Sequence, residues 1–145
     1  MPVGHQELGR AIKQLQHRHH RELDRRLREV DSSLAQWDAL RAIAKRPGSS
    51  AHALAEMTFQ TDQSFGALAD RLMKRGMIER VAGPGRAIRH RLTPAGKKTL
   101  REGQGIANAV LKASFAPLSN RQRDQLYGLI FTTLSDGRPA QRVGL

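Results

Sequence analysis

The stretch that most constrains the fold runs from Pro47 to Leu92. It reads as helix, turn, helix and then a two-stranded hairpin whose tip is Gly83-Pro84-Gly85-Arg86, a sequence that fits only a turn. The second helix of the pair, about 61–75, buries Phe65, Leu68, Ala69 and Leu72 at helical spacing. At 3.6 residues per turn its opposite face carries Gln60, Gln63, Ser64, Ala67, Asp70, Arg71 and Lys74. A polar helix face beside a basic hairpin predicts a module that lies on DNA. The segments before and after it read as the means of pairing two copies.

The local signals set the boundaries. Ser33 with Gln36 forms a capping box that opens a helix carrying Leu34, Trp37, Leu40, Ile43 and Ala44. Pro47-Gly48 stops it. Ser49 or Ser50 then caps a short helix with Ala51, Leu54, Ala55 and Met57, and Thr58-Phe59-Gln60 is the turn. Thr61 is the expected N-cap of the next helix, with Asp62 favourable in its first turn and Gly76 ending it. Residues 77–82 and 87–92 read as strands. Ile88, His90 and Leu92 alternate with Arg89 and Arg91, which predicts one basic, exposed strand face.

Before this lobe, Leu8, Ile12, Leu15, Leu23, Leu27 and Val30 mark one face of a long helix over about 4–30. After it, Thr93-Pro94 restarts helix, with Leu100, Ile106, Val110, Leu111 and Phe115 on its apolar side, and Pro117 ends it. Ser119 with Gln122 is a second capping box, opening a helix with Leu126, Leu129, Ile130 and Leu134. The predicted fold class is mainly α with a small β-hairpin wing. Residues 1–32 form an N-terminal dimerisation helix and 33–96 the DNA-binding lobe, with its helix-turn-helix over 50–75 and its wing over 77–92. C-terminal dimerisation helices over 93–136 and a tail over 137–145 follow. Apolar stripes on the outer helices predict a symmetric homodimer.

Charge and composition narrow the partners. The chain of 145 residues carries a formal net charge of +12, which attracts polyanions, nucleic acid first. Aromatic residues make up 4% of it, too few for the stacking platforms of a single-strand binder. There is no cysteine, so disulfides, thiolate metal sites and cysteine nucleophiles are excluded. No apolar run approaches the roughly 20 residues of a membrane span. The polar N-terminus lacks a signal core, so a cytoplasmic protein without membrane partners is expected. No glycine-rich phosphate loop, nucleophile with a base, or apolar-set carboxylate pair supports an enzyme, and no cofactor is implied.

The order and spacing of several short motifs resemble the MarR family of bacterial transcription regulators over about 8–134. They are Leu68-Ala69-Asp70-Arg71-Leu72, then Arg75-Gly76-Met77-Ile78-Glu79-Arg80, then Arg86, then Leu92-Thr93-Pro94-Ala95-Gly96. The resemblance implies a winged helix-turn-helix dimer joined through its N- and C-terminal helices. It implies binding to a palindromic double-stranded operator, most often as a repressor. In many members a small, often anionic aromatic, effector releases the DNA. Two departures stand out. Pro84 occupies the place of the family's acidic residue before the wing arginine, and Ala67 stands where an arginine is common. The family's cysteine-based peroxide sensing is excluded.

The expected DNA-binding residues are Ser50 and Thr61 at the two helix starts, and Gln60, Gln63, Ser64, Ala67, Arg71 and Lys74 on the reading helix. Arg86 is expected at the wing tip, with Arg89 and Arg91 on the strand. Glutamine makes paired hydrogen bonds to adenine, serine bonds bases or phosphate, and an alanine methyl packs on thymine. An arginine on a short turn fits a narrow, electronegative minor groove. A non-specific, architectural DNA binder is the alternative. His17, His19 and His20 with Asp24 lack the further ligands at fixed geometry that zinc needs, so no metal is assigned. By family geometry, His20, Trp37 and Arg41 are the candidate effector-binding residues, although core packing is the plain reading of Trp37.

Overall fold

The computed structural model describes residues 1–82, 85 and 89–135. The helices are α1 (His5–Leu27), α2 (Leu34–Lys45), α3 (Ala51–Met57), α4 (Asp62–Lys74), α5 (Pro94–Phe115) and α6 (Asn120–Ser135). Strands β1 (Ile78–Val81) and β2 (Arg89–Leu92) stand between α4 and α5, and a single 3-10 turn, Arg28–Val30, follows α1. The observed order is the one read from the sequence, and the fold is a mainly helical winged helix-turn-helix. Gly83, Pro84, Arg86, Ala87 and Ile88 lie outside the described residues, as does the expected tail.

Two compact units are present, Met1–Val110 and Leu111–Leu145. The first holds two cores that share α2. One gathers Ala39, Leu40, Ala42 and Ile43 of α2, Leu54 and Ala55 of α3, Phe65, Leu68, Ala69 and Leu72 of α4, and Ile78 of β1. The other joins Leu23 and Leu27 of α1, Leu34 and Trp37 of α2, and Ala107 and Val110 of α5. Each fully buried large side chain among these stabilises the fold by about 1.5–3 kcal/mol. The apolar face of α2 differs in one place from the expected one. Ala44 is exposed, and Ala39 and Ala42 are buried in its stead.

Local chemistry explains the helix limits. Asp31, at φ 53, turns the chain left-handed after α1. Ser33 accepts a hydrogen bond from the Gln36 amide at 3.1 Å, as expected of its cap. The reciprocal half of that capping box is absent, because the Gln36 side chain instead accepts from Arg75 Nη1 at 2.6 Å. The start of α2 gains a second partner from α1, since the Leu34 amide donates to Asp24 Oδ1 at 3.0 Å. At the other end of the lobe, Thr93 Oγ1 donates to the Gly76 carbonyl (2.5 Å) and accepts from the Gly96 amide (3.1 Å). A Cβ at Gly96 would meet the Met77 carbonyl oxygen at 2.0 Å, so α5 approaches the start of the wing closely only because residue 96 is glycine.

The buried stripe of α5 is made of small residues, Gly96, Thr99, Gly103 and Ala107, with Val110. The larger Leu100 and Ile106, expected to carry that face, are half-buried at its flanks. Within the second unit, α6 opens with the complete Ser119–Gln122 box, each backbone amide bonded to the other's side chain. Tyr127 and Phe131, one turn apart, stack at 5.8 Å. Tyr127, Leu129, Ile130 and Leu134 are exposed, as are Leu8 and Ile12 of α1. Among the described residues no helix is long and apolar enough to cross a membrane.

Candidate nucleic-acid interface

The reading helix is set in place by caps and by a closed turn. Ser50 caps α3 by accepting from the Ala53 amide at 3.1 Å. Ser50 also pairs with Arg89 in an isolated antiparallel bridge, which ties the start of α3 to the wing. Thr58 closes α3 by donating its hydroxyl to Leu54 O at 2.8 Å. Phe59 adopts φ 56, and this left-handed step lets the Gln60 amide return to Ala55 O at 2.9 Å. Thr61 then caps α4, accepting from the Ser64 amide at 3.1 Å.

With Phe65, Leu68, Ala69 and Leu72 in the core, α4 presents Gln63, Ser64, Ala67, Asp70, Arg71 and Lys74 to solvent. Gln60 behaves differently from its neighbours. It is half-buried, and its amide nitrogen donates back to Thr58 Oγ1 at 3.3 Å. The structure therefore brings Gln63, Ser64, Ala67, Arg71 and Lys74 onto one exposed face, flanked at its start by Thr61.

The wing strands pair antiparallel, with Ile78 opposite Leu92, Glu79 opposite Arg91, Arg80 opposite His90 and Val81 opposite Arg89. The two strand arginines do not share one exposed, basic face. Arg91 is exposed, but its Nε donates to the cross-strand Glu79 carboxylate at 2.6 Å. Arg89 is half-buried, with its Nε shielded and without a hydrogen-bond acceptor among the described residues. The bridge to Ser50 explains this, because it draws Arg89 in against the start of α3. Arg86, the expected wing-tip residue, lies outside the described residues.

Three histidines and an aspartate have distinctive surroundings. His52, on α3, directs Nδ1 at Asp62 Oδ1 (2.9 Å) and Nε2 at Glu56 Oε1 (3.2 Å). The hydrogen bond to Asp62, with the charges of Asp62 and Glu56, raises its pKa above the usual 6.5. His90, on β2, is buried, and both its ring nitrogens are unpartnered among the described residues. Burial, then the charge of Arg80, lowers its pKa, and Asp70 opposes them.

At the α1–α2 side, the Arg41 guanidinium stands 4.6 Å from the centre of the Trp37 ring. Trp37 is a core residue, as its position on α2 implied, and its Nε1 donates to Leu100 O at 3.2 Å. Asp38 lies 3.7 Å from Arg41. Burial raises the Asp38 pKa, against the charges of Arg41 and of His20. His20, Trp37 and Arg41 thus share one neighbourhood, and Asp38 belongs to it. Among the described residues no group of three or more histidine, aspartate or glutamate side chains is arranged to hold a metal ion. Asp24 is engaged instead by the Leu34 amide and by Arg28.

Sequence reasoning passed over His52, Asp38 and Gly103. An i,i+4 spacing does relate His52 to Glu56, but Asp62 joins them only through the turn.

The comparisons agree with this architecture. A family model described as MarR family matches residues 31–87, from the approach to α2 into the wing. A mutant of MarR from E. coli complexed with operator DNA superposes with a TM-score of 0.80 at 22% identity, covering 88% of this chain and 93% of that one. A probable transcriptional regulator from Pseudomonas aeruginosa gives 0.75 at 27% identity, over 86% and 94% of the two chains. A MarR family protein from Mycobacterium tuberculosis complexed with salicylic acid gives 0.73 at 21% identity, over 87% and 95%. Curated protein sequences give no match. The family match falls on the helix-turn-helix lobe, from residue 31 to residue 87, and the fold likeness spans almost the full length, so the chain has the winged-helix fold of these proteins and a lobe similar to that of the MarR family.

Proposed function

We propose that the protein is a sequence-specific regulator of transcription that binds a palindromic operator as a homodimer and acts as a repressor in the cytoplasm. The observation that carries this reading is the exposed face of α4, where Gln63, Ser64, Ala67, Arg71 and Lys74 stand together above a fully buried core face. Helices of this kind enter the major groove N-terminus first, where glutamine and serine read base edges and arginine and lysine hold phosphates. The formal charge of +12 supplies the non-specific part of the affinity. Exposed apolar side chains that recur one turn apart on α1 (Leu8, Ile12) and on α6 (Ile130, Leu134) support pairing with a second copy, since contiguous exposed apolar patches mark association surfaces. The E. coli relative bound to operator DNA supports the same reading.

Release by a small, anionic aromatic effector is part of the proposal. Arg41 over Trp37, with His20 close by, provides a cation beside an aromatic face, and the salicylic acid complex of the M. tuberculosis relative supports it. The function is tested by selecting duplexes from a random-sequence library, then competing the bound duplex with bulk DNA at moderate salt. A specific regulator keeps a preference of about a thousandfold or more over random DNA. Uniform binding leaves an architectural DNA binder. Arg86→Ala is expected to weaken binding and to flatten the slope of log K against log salt by about 1. An unchanged slope removes Arg86 from the interface.

A further inference from the structure

His52 makes an arrangement that only one of its charge states satisfies. Nδ1 is 2.9 Å and 3.1 Å from the two Asp62 oxygens, and Nε2 is 3.2 Å from Glu56 Oε1. A neutral imidazole has one N–H donor and one lone pair, so one carboxylate would face that lone pair. The imidazolium has two donors and meets both acids. Asp62 is the first residue of α4, and Glu56 and His52 lie one turn apart on α3. The ring therefore bridges the two helices of the helix-turn-helix at the N-terminal end of the reading helix. The charged groups facing it are Glu56 from its own helix and Asp62 from α4. Among the described residues no charged group of α2 or β2 acts on it.

We propose that His52 is a positioning residue for DNA reading, whose imidazolium holds the start of α4 and masks two carboxylates that DNA phosphates would otherwise meet, so that affinity for DNA falls as the ring loses its proton. This rests on the DNA-binding reading given above. The reading helix enters the groove by its N-terminus, and its entry is lined by phosphates. With the ring charged, the His52–Glu56–Asp62 group carries a net charge of −1. With the ring neutral it carries −2 and loses one of its two hydrogen bonds. Phosphate approach favours the charged ring further, so binding takes up a proton. The groups are solvent-exposed, so the change in affinity is modest and screened by salt.

The experiment measures the affinity of the full-length protein for the library-selected duplex, at constant salt, from about pH 6 to about pH 9. Wild-type protein is expected to bind roughly threefold to tenfold more weakly at the alkaline end. His52→Gln is expected to be weak throughout, with that part of the pH dependence gone. His52→Lys, which stays charged, is expected to bind tightly across the range. The pair Glu56→Gln with Asp62→Asn removes the acids and is also expected to bind tightly and flatly. A nitrogen-resolved NMR titration of His52 in the free protein provides a readout independent of DNA. It is expected to show a pKa raised above that of an ordinary histidine, and a lower one in the Glu56→Gln, Asp62→Asn variant. Wild-type and His52→Gln profiles that run parallel, or a His52 pKa that the Glu56→Gln, Asp62→Asn variant does not lower, overturn the proposal while leaving DNA binding intact. Failure of every variant to bind any duplex at any pH overturns the DNA-binding reading and the proposal with it.

Discussion

A Cβ placed on Gly103 would lie 2.2 Å from Cδ1 and 2.3 Å from Nε1 of Trp37. The indole is not free to retreat, because its Nε1 donates to Leu100 O one turn earlier on the same helix. Gly103 is therefore the position at which α5 admits the only tryptophan of the sequence. Gly103→Ala is expected to destabilise the fold by about 1–3 kcal/mol through overpacking, despite the better helix propensity of alanine. Urea denaturation followed by tryptophan fluorescence measures this directly. A variant as stable as wild type would show that α5 and α2 separate at no cost.

Phe59 presents the opposite case, a large side chain where a small one is favoured. Its φ is 56 and its side chain is almost wholly exposed. The left-handed conformation costs a non-glycine residue about 1–2 kcal/mol, and replacing an exposed ring forfeits little buried area. Phe59→Gly is expected to raise stability by about 0.5–1 kcal/mol after the added entropy of the unfolded glycine is subtracted. That corresponds to a rise of about 2–4 °C in Tm by calorimetry. A fall in Tm would mean that the ring makes contacts in solution that outweigh the backbone strain.

His90 and His52 set opposite limbs of the stability profile. The folded-state pKa of His90 lies below 6.5, so its contribution is complete above about that pH and is lost as pH falls through the lowered folded value. The folded-state pKa of His52 lies above 6.5, so its contribution is complete below that pH and is lost as pH rises through the raised value. His90→Leu removes two buried ring nitrogens that are unpartnered among the described residues. It is expected to raise stability at neutral pH by about 1 kcal/mol and to make the acid limb shallower. Denaturation midpoints across the pH range check both statements. An acid limb that stays as steep in His90→Leu would assign it to other groups.

Arg91 already has an acidic partner in Glu79, so any contact with phosphate competes with that ion pair. Glu79→Gln is expected to leave stability within about 1 kcal/mol, as befits an exposed pair. It is also expected to tighten DNA binding and steepen the log K against log salt slope by up to about 1, as one more arginine neutralises a phosphate. Unaltered affinity and slope would show that Arg91 stays away from the DNA backbone.

Short-range chemistry determined most of the architecture. The caps at Ser33, Ser50 and Thr61, the turn at Thr58–Gln60, the glycine end of α4 and the period-3.6 faces of α3 and α4 all act within a few residues, and each was legible in the sequence. The exposed face of α4 follows from the same periodicity. Contacts between distant segments were decided by the tertiary structure. Arg89 is drawn inward because Ser50 pairs with it, whereas alternation along the strand implies exposure. The stripe of small residues on α5 has meaning only once Trp37 is seen against Gly103 and Met77 against Gly96. His52 reads as one more surface histidine until the turn folds Asp62 back onto it. Periodicity and capping are properties of a segment, whereas burial, close approach and charge pairing depend on which segments meet, and that is settled only when the whole chain packs.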